Sequence, residues 1–354
     1  MAPPLDRRGL LKAGAGGSLA LLSPGALAAP GDGPALSRIA FGSCARQNKD
    51  QPIWDRVNAW NPELFIFLGD NIYADTEDMD VMRGKYAQLA AKPGFQQLRR
   101  SSRCVAIWDD HDYGVNDGGF EYPKKAESKR IFLDFWGEPA DSPRRTREGN
   151  YTSYMFGPSG RRVQIILPDN RWFRTALMGI TVPPAPEMGP YLVNPDPKAT
   201  MLGARQWEWL EAEFAKPADL RIFASSTQVL ADRPGHEAWV NFQADHQRLL
   251  DLVRFARVEH LVMISGDTHY AELSRLADGM PYPLHDLTSS GLTEVWPMFG
   301  PNANRIAKAP LAPNFGRLTI DWKARALTME VQMLDGSVPI AHRLALADLE
   351  RRSS

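Results

Sequence analysis

The chain has 354 residues, 41 basic and 42 acidic side chains, 44% hydrophobic and 23% charged residues, and two cysteines. That is ordinary globular composition, long enough for one large α/β domain or two small ones. It excludes the basic stripe expected of a nucleic-acid-binding surface, and no internal period marks a solenoid.

At the start, Arg7-Arg8 precede an apolar, glycine- and alanine-rich run ending at Leu22, then Ala26-Leu27-Ala28. The run is too short to span a bilayer, and small residues of the A-x-A type follow it rather than a stop-transfer pattern. Residues 1–28 are therefore expected to be a twin-arginine signal peptide cleaved after Ala28, with an ordinary secretory signal as the alternative. The expected location is the periplasm or beyond, with the twin-arginine translocase as a partner during export. That route carries folded proteins and suits a chain that takes up metal before export. No later segment reads as a transmembrane helix. Residues 29–354 are expected to form the mature catalytic domain.

From there a pattern repeats: a short apolar run, then polar or charged residues at its end. Ile39–Phe41 leads to Gly42-Ser43-Cys44, Leu64–Leu68 to Gly69-Asp70-Asn71-Ile72-Tyr73, and Val105–Trp108 to Asp109-Asp110-His111-Asp112. Val163–Leu167 leads to Pro168-Asp169-Asn170-Arg171, Arg221–Ala224 to Ser225-Ser226-Thr227-Gln228, and Leu261–Ile264 to Ser265-Gly266-Asp267-Thr268-His269. Unbroken Ile/Val/Leu/Phe runs mark strands covered on both faces. Helical periodicity places Ile53, Val57 and Trp60 on one face, and Trp207, Leu210 and Phe214 on another. A third helix, residues 243–256, presents Leu249, Leu250, Val253 and Phe255 and leaves His246 and Arg248 toward solvent. Alternating strands and helices give a largely parallel or mixed sheet, whose ligands gather at the carboxyl ends of the strands.

Residues 118–150, 176–203 and 276–316 are long and rich in turn formers, so they read as lids or insertions. The basic piece Lys124–Arg130 is either an attractor of an anionic substrate or a solvated face. Leu318, Ile320 and Trp322, then Leu327, Met329, Val331 and Met333, alternate with polar residues. They predict an antiparallel hairpin turning near Lys323-Ala324-Arg325 and completing a second sheet.

The stretch 109–117 holds more acid than any buried strand tolerates. An unpaired buried charge costs several kcal/mol or neutralises itself, so these acids sit where the strand leaves the sheet and need a cation. Cys44 ends one strand and Cys104 begins another. Opposite ends of a five-residue strand lie roughly 16 Å apart, beyond the reach of a disulfide, which leaves Cys44 as a candidate thiolate ligand. Carboxylate ligands favour Ca²⁺, Mg²⁺ or Mn²⁺, whereas thiolate, phenolate and imidazole favour iron or zinc. Two cations about 3.5–4 Å apart are the arrangement of phosphoryl hydrolysis, with a bridging hydroxide attacking phosphorus in line.

FGSC at Cys44, GDNIY at Asp70 and Tyr73, WDDHDYGVND, PDNRWFR, SSTQVLADRPGHEAWVNF, SGDTHYAEL, LTSSGLT and NFGRLTIDW together resemble the alkaline phosphatase D (PhoD-like) metallophosphatases. The resemblance covers roughly residues 36–335. It implies an α/β fold, a four-layer α/β/β/α sandwich with two mixed sheets, related to purple acid phosphatases and calcineurin-like enzymes, here without an N-terminal β-sandwich domain. It implies Fe³⁺ and Ca²⁺ as cofactors, with Zn, Mn or Mg as other divalent choices. The implied iron ligands are Cys44, Asp70, Tyr73 and His269. Asp70 bridges to a second site with Asp110 and Asp267, and His111 contacts the phosphoryl group or protonates the leaving alkoxide. Asp109 is either a ligand or an acceptor that orients one.

Arg171 and Asn241 are candidate phosphate contacts, Arg171 alternatively a structural partner of Asp169, and His236 is expected to line the pocket. Asn116 and Asp117 are expected to cap the turn. The leading expectation is an exported hydrolase of phosphate monoesters, diesters or both. The alternatives are a phospholipase of the D type and a non-catalytic metal- or phosphate-binding protein.

Overall fold

The apolar runs do become strands, and the computed structural model describes residues 33–233 and 235–351. The expected signal peptide lies outside the described residues. In chain order the strands are β1 (Arg38–Gly42), β2 (Leu64–Leu68), β3 (Arg103–Ile107), β4 (Thr152–Phe156) and β5 (Val163–Leu167). The short β6 (Met178–Gly179) and β7 (Tyr191–Leu192) form a small ribbon. Then follow β8 (Leu220–Ala224), β9 (Leu261–Ser265), β10 (Ala271–Leu276), β11 (Leu284–Ser289), β12 (Arg305–Lys308), β13 (Asn314–Asp321), β14 (Ala326–Met333) and β15 (Ile340–Ala345). The helices are α1 (Ile53–Trp60), α2 (Met79–Ala90), α3 (Pro93–Ser101), α4 (Asp110–Tyr113), α5 (Lys125–Trp136), α6 (Pro143–Thr146), α7 (Gly203–Phe214) and α8 (Gln243–Phe255).

Two mixed sheets result. One has the order β15-β14-β13-β1-β2-β3, the other β12-β10-β11-β9-β8-β5-β4. β1, β2 and β3 run parallel in the first, and β5, β8, β9 and β11 run parallel in the second. Every residue of β2, β5, β8 and β9 is buried, as strands covered on both faces must be. β11 packs against β13 and β14, which brings the sheets face to face. Helices cover the outer faces: Trp54 of α1 meets Phe65 of β2 with ring centroids 5.6 Å apart, and Phe214 of α7 meets Phe223 of β8 at 6.2 Å. This is the expected four-layer α/β/β/α sandwich.

Four expectations change. The hairpin β13–β14 does not build the second sheet; Leu318 pairs with Ile39, so the hairpin extends the first. In α8, Leu249, Leu250 and Val253 are buried and Arg248 is exposed as expected, but Phe255, at the last position of the helix, is exposed and His246 is partly buried. Residues 118–150 and 276–316 are not structureless lids. They contain α5 and α6, and β11 and β12. Lys129 of the basic piece is buried against the Arg147 carbonyl, so that helix is not a free cationic face.

Splitting the six strand ends three and three matters for the site. The loops after β1, β2 and β3 meet those after β5, β8 and β9 across the join of the two sheets.

Candidate metal centre

At that join the backbone is pressed tightly. Cys44, Asp70, Asp267 and His269 all adopt positive φ, at 63°, 50°, 71° and 60°. Each costs on the order of 1–3 kcal/mol in a residue with a side chain, a cost that persists where the surroundings over-determine the turn and that concentrates at functional sites. Gly69 has φ 99°, and a Cβ there would lie 2.4 Å from the Asp109 Cβ. Only glycine lets the loops after β2 and β3 approach so closely.

One group of side chains mixes soft and hard donors. Single donor atoms of Cys44, Asp70 and His269 lie within 4.8 Å of one another. The Cys44 thiol is 3.5 Å from Asp70 Oδ2 and 3.2 Å from the Ser290 hydroxyl, and the Tyr73 hydroxyl is 3.2 Å from His269 Nε2. Burial, then the neighbouring Asp70, raises the Cys44 pKa well above its usual value. Burial, then Asp110 and Asp109, does the same to Asp70. Asp70 Oδ1 has no hydrogen-bond partner.

The other group is made of carboxylates. Donors of Asp109, Asp110 and Asp267 lie within 4.8 Å of one another, as do those of Asp70, Asp110 and His111. Asp70 thus belongs to both groups. Arg171 is completely buried behind them: Nε donates to Asp109 Oδ1 at 2.6 Å, Nη2 forms an ion pair with the same oxygen at 2.5 Å, Nη1 sits 2.7 Å from Glu237, and Nη2 is 3.8 Å from Asp110 Oδ1. Ser226 also donates to Asp109 Oδ1 at 2.8 Å. Burial nonetheless raises Asp109 to about 6, against the pull of Arg171. Burial opposes ionisation of Asp110 as well, but Arg171 and His111 hold its carboxyl below the usual range. Asp109 Oδ2 and Asp110 Oδ1 remain without partners.

His111 Nδ1 contacts the Asp75 carboxylate at 2.7 Å, and its ring lies against Tyr73 with centroids 4.2 Å apart. Burial lowers its pKa, but the Asp75 hydrogen bond and the charges of Asp110, Asp75 and Asp109 together outweigh it, and the net shift is upward. Asp112 turns away from the donors. It accepts the backbone N–H of Asp70, Asn71 and Asp109 at 3.2, 3.4 and 2.7 Å, which fastens the β2 and β3 loops together. Asp117 donates its backbone N–H to Asp110 Oδ2 at 2.8 Å and accepts the Tyr191 hydroxyl, so it does shape the turn.

A pocket opens over these groups, lined by Asp110, His111, Asp267 and His269 on its floor and by Tyr191, His236 and Trp296 around it. His236 and Trp296 have ring centroids 6.0 Å apart. Two expected substrate contacts do not reach this pocket. Arg171 has no exposed surface and is spent on carboxylates, because three buried acids surround it; its partners are Asp109 and Glu237, not the Asp169 carboxylate, which takes the Trp108 indole and the Arg171 backbone N–H. Asn241 caps its own turn, its Oδ1 accepting the Ala238 N–H at 2.7 Å and its Nδ2 donating to the Leu192 carbonyl. Glu237, Asp75 and Trp296 are functional candidates that the sequence reading passed over. Asp75 lies two residues beyond Tyr73 and Glu237 beside His236, so proximity to a motif was the available signal.

The donor set fits two cations. The buried carboxylates, with orphaned oxygens on Asp70, Asp109 and Asp110 and gathered with a thiol, a phenol and an imidazole, outnumber the Arg171 guanidinium beside them, and buried charge in excess of its counter-ion is costly.

A family model described as PhoD-like phosphatase matches residues 39–301. A solved structure of PhoD is similar with TM-score 0.70 and 16% identity, over 90% of this chain and 70% of that one. Purple acid phosphatase PPD1 from yellow lupin (Lupinus luteus) seeds is similar with TM-score 0.58 and 13% identity, over 92% of this chain and 56% of that one. GAP50, described as the anchor in the inner membrane complex of Plasmodium, shares TM-score 0.55 and 12% identity, over 90% of each chain. The search of curated proteins returns no significant match.

Proposed function

The chain belongs to the PhoD-like phosphatase family of metal-dependent phosphoester hydrolases, and we propose that it is an exported member whose centre holds one ferric and one calcium ion. Cys44, Asp70, Tyr73 and His269 would hold the iron, since thiolate, phenolate and imidazole are its ligands of choice. Asp70, Asp110 and Asp267 would hold the calcium, which takes oxygen ligands. Asp109 has one oxygen committed to Arg171 and Ser226, so it orients the second site and offers at most its other oxygen. When bound, the cations supply Lewis acidity and a nucleophile at neutral pH.

The protein's own residues do the rest. Arg171 keeps Asp109 and Asp110 charged without touching substrate. Asp75 fixes the ring of His111 through Nδ1, which leaves Nε2 to carry a proton to the departing alkoxide at the pocket floor. His236, Tyr191 and Trp296 surround the organic part of the ester. The twin-arginine pair Arg7-Arg8 supports export with metal already in place, and residues 29–354 would be the mature enzyme.

The observation that carries this reading is the pair of orphaned oxygens on Asp70 and Asp110 within one cluster of buried donors. Its test is hydrolysis after iron and calcium loading, with a nitrophenyl phosphate monoester, its diester and phosphatidylcholine assayed side by side. Turnover of the nitrophenyl esters is expected, and their ratio defines monoesterase against diesterase preference. Preference for the lipid would instead make the enzyme a phospholipase. Hydrolysis of none of them, with Asp110→Asn changing nothing, overturns the proposal in favour of a binding protein.

A further inference from the structure

The two sheets leave a second opening where their edge strands end. β3 is the last strand of the first sheet and β4 the last of the second. A cleft of about 510 Å³ lies along β3 and Tyr154 of β4, bounded by the ends of α3 and α5, against about 220 Å³ for the pocket over the acids. The cleft opens at Arg103, about 13 Å back along β3 from Ile107 at a strand rise of about 3.3 Å per residue. The two cavities have no lining residue in common.

The cleft presents donors almost without acceptors. Arg99, Arg100 and Arg103 line it, and among the described residues none of their guanidinium groups meets a carboxylate or a carbonyl. Arg99 lies over the Trp136 ring, 5.0 Å from its centroid, and Arg103 over Phe156 at 5.9 Å. Stacking of this kind holds a guanidinium flat while leaving its N–H groups unspent. Arginines in the last turn of a helix can bond its final carbonyls; Arg99 and Arg100 occupy the last turn of α3 and make no such bond among the described residues. Trp136 also lines the cleft, is more than nine-tenths buried, and its indole N–H has no acceptor. Glu138 is the lining carboxylate, and it is already held by Arg144 at 3.3 Å and by the Ser142 hydroxyl. The Cys104 thiol, pushed up to about 12 by burial, adds no negative charge.

We propose that this cleft binds a condensed phosphate, two or three phosphoryl units long, away from the metal centre. Arginine forks match phosphate oxygens two at a time. Three separated guanidinium groups and an indole N–H suit a chain of linked anions better than one, and the cleft exceeds the volume of the pocket proposed for a single phosphoryl group. The site uses no metal-centre residue, so it stands whether or not the hydrolase reading does.

The test uses the metal-loaded full chain labelled with 5-fluorotryptophan, with the Trp136 fluorine resonance assigned by Trp136→Phe. Tripolyphosphate is expected to shift that resonance saturably. The pair Arg99→Ala and Arg103→Ala is expected to raise Kd at least tenfold, while Arg99→Lys with Arg103→Lys keeps measurable binding and controls for folding. Orthophosphate and citrate at matched ionic strength are expected to bind at least tenfold more weakly. EDTA at the same concentration controls for withdrawal of metal and is expected to leave Trp136 unmoved. The proposal is overturned by an unmoved Trp136 resonance, by equal affinity for citrate, by a shift that EDTA reproduces, or by undiminished affinity in the double alanine variant.

Discussion

Asp70 and Asp109 leave neighbouring strands of one sheet and are equally buried in the same cluster of donors, yet the fold answers their charges differently. Asp109 has a guanidinium of its own: Arg171, brought from the second sheet, takes one of its oxygens at hydrogen-bond distance. Among the described residues no guanidinium or ammonium pairs with Asp70. Its near neighbours are the Cys44 thiol, two imidazoles and other acids, and burial with the repulsion of those acids raises its pKa well above the ordinary range. A carboxylate with a built-in counter-ion holds the architecture together before any metal arrives. One without, such as Asp70 with its orphaned Oδ1, is placed to bind a cation. The difference separates the groups that shape the centre from those that bind at it.

The sharpest way to break this division is to remove the carboxylate common to both donor groups. Asp70→Ala is expected to lose both ions and all measurable turnover while still folding, as read by elemental analysis and circular dichroism; retention of either ion at wild-type occupancy would show that Asp70 is not shared. His111→Asn probes the protein's own chemistry at constant metal content. We expect kcat to fall by about 10²–10⁴, and Asp75→Asn, which acts only by holding the ring, to cost about 10-fold. Equal effects of the two changes would mean that His111 serves structure alone.

Arg171 tests the other side of the comparison. Arg171→Met leaves Asp109 and Glu237 buried without a counter-ion, and is expected to cost about 3–5 kcal/mol in urea unfolding. Adding Asp109→Asn should recover part of that loss, because the stranded charge disappears with it. A double variant less stable than the sum of the single changes would contradict the pairing.

Buried histidines far from the centre supply a third case, in which the fold keeps the group neutral. Burial lowers His246 and His285 to about 4. Both bind more protons unfolded than folded, so their contribution is present above the unfolded pKa of about 6.5 and lost as pH falls toward 4. Each accounts for about 3 kcal/mol of acid destabilisation at most. His285→Gln is expected to flatten the stability profile between pH 6.5 and 4, and an unchanged slope would place the acid sensitivity elsewhere. The smallest effect belongs to Asn241: Asn241→Ala should cost about 1 kcal/mol of stability through its lost cap and leave kcat/KM unchanged.

What could be read from the chain beforehand follows the same division. Strands β2 and β5 and helix α1 were legible to the residue, because unbroken apolar runs and regular helical spacing are local signals. Cys44, Asp70, Asp110, Asp267 and His269 were legible as polar groups at strand ends for the same reason, whereas their grouping as ligands was implied only by the family resemblance. Arg171 was legible as a possible partner of Asp169 but not of Asp109, which lies 62 positions away on the other sheet. Asn241 looked available for phosphate because nothing in its neighbourhood announces that Ala238 and Leu192 consume its amide. Asp112 sits amid ligand candidates, and only the close approach of two loops turns it into their fastening. The hairpin β13–β14 was found, but which sheet it joins depends on pairing with β1 across most of the chain.

If unanswered buried donors mark two adjacent cation sites of unlike chemistry, elemental analysis of the purified protein should find one iron and one calcium per chain, with iron lost on Cys44→Ser and calcium lost on Asp267→Asn. Zinc alone, or a single ion per chain that neither substitution alters, would rule out two such sites.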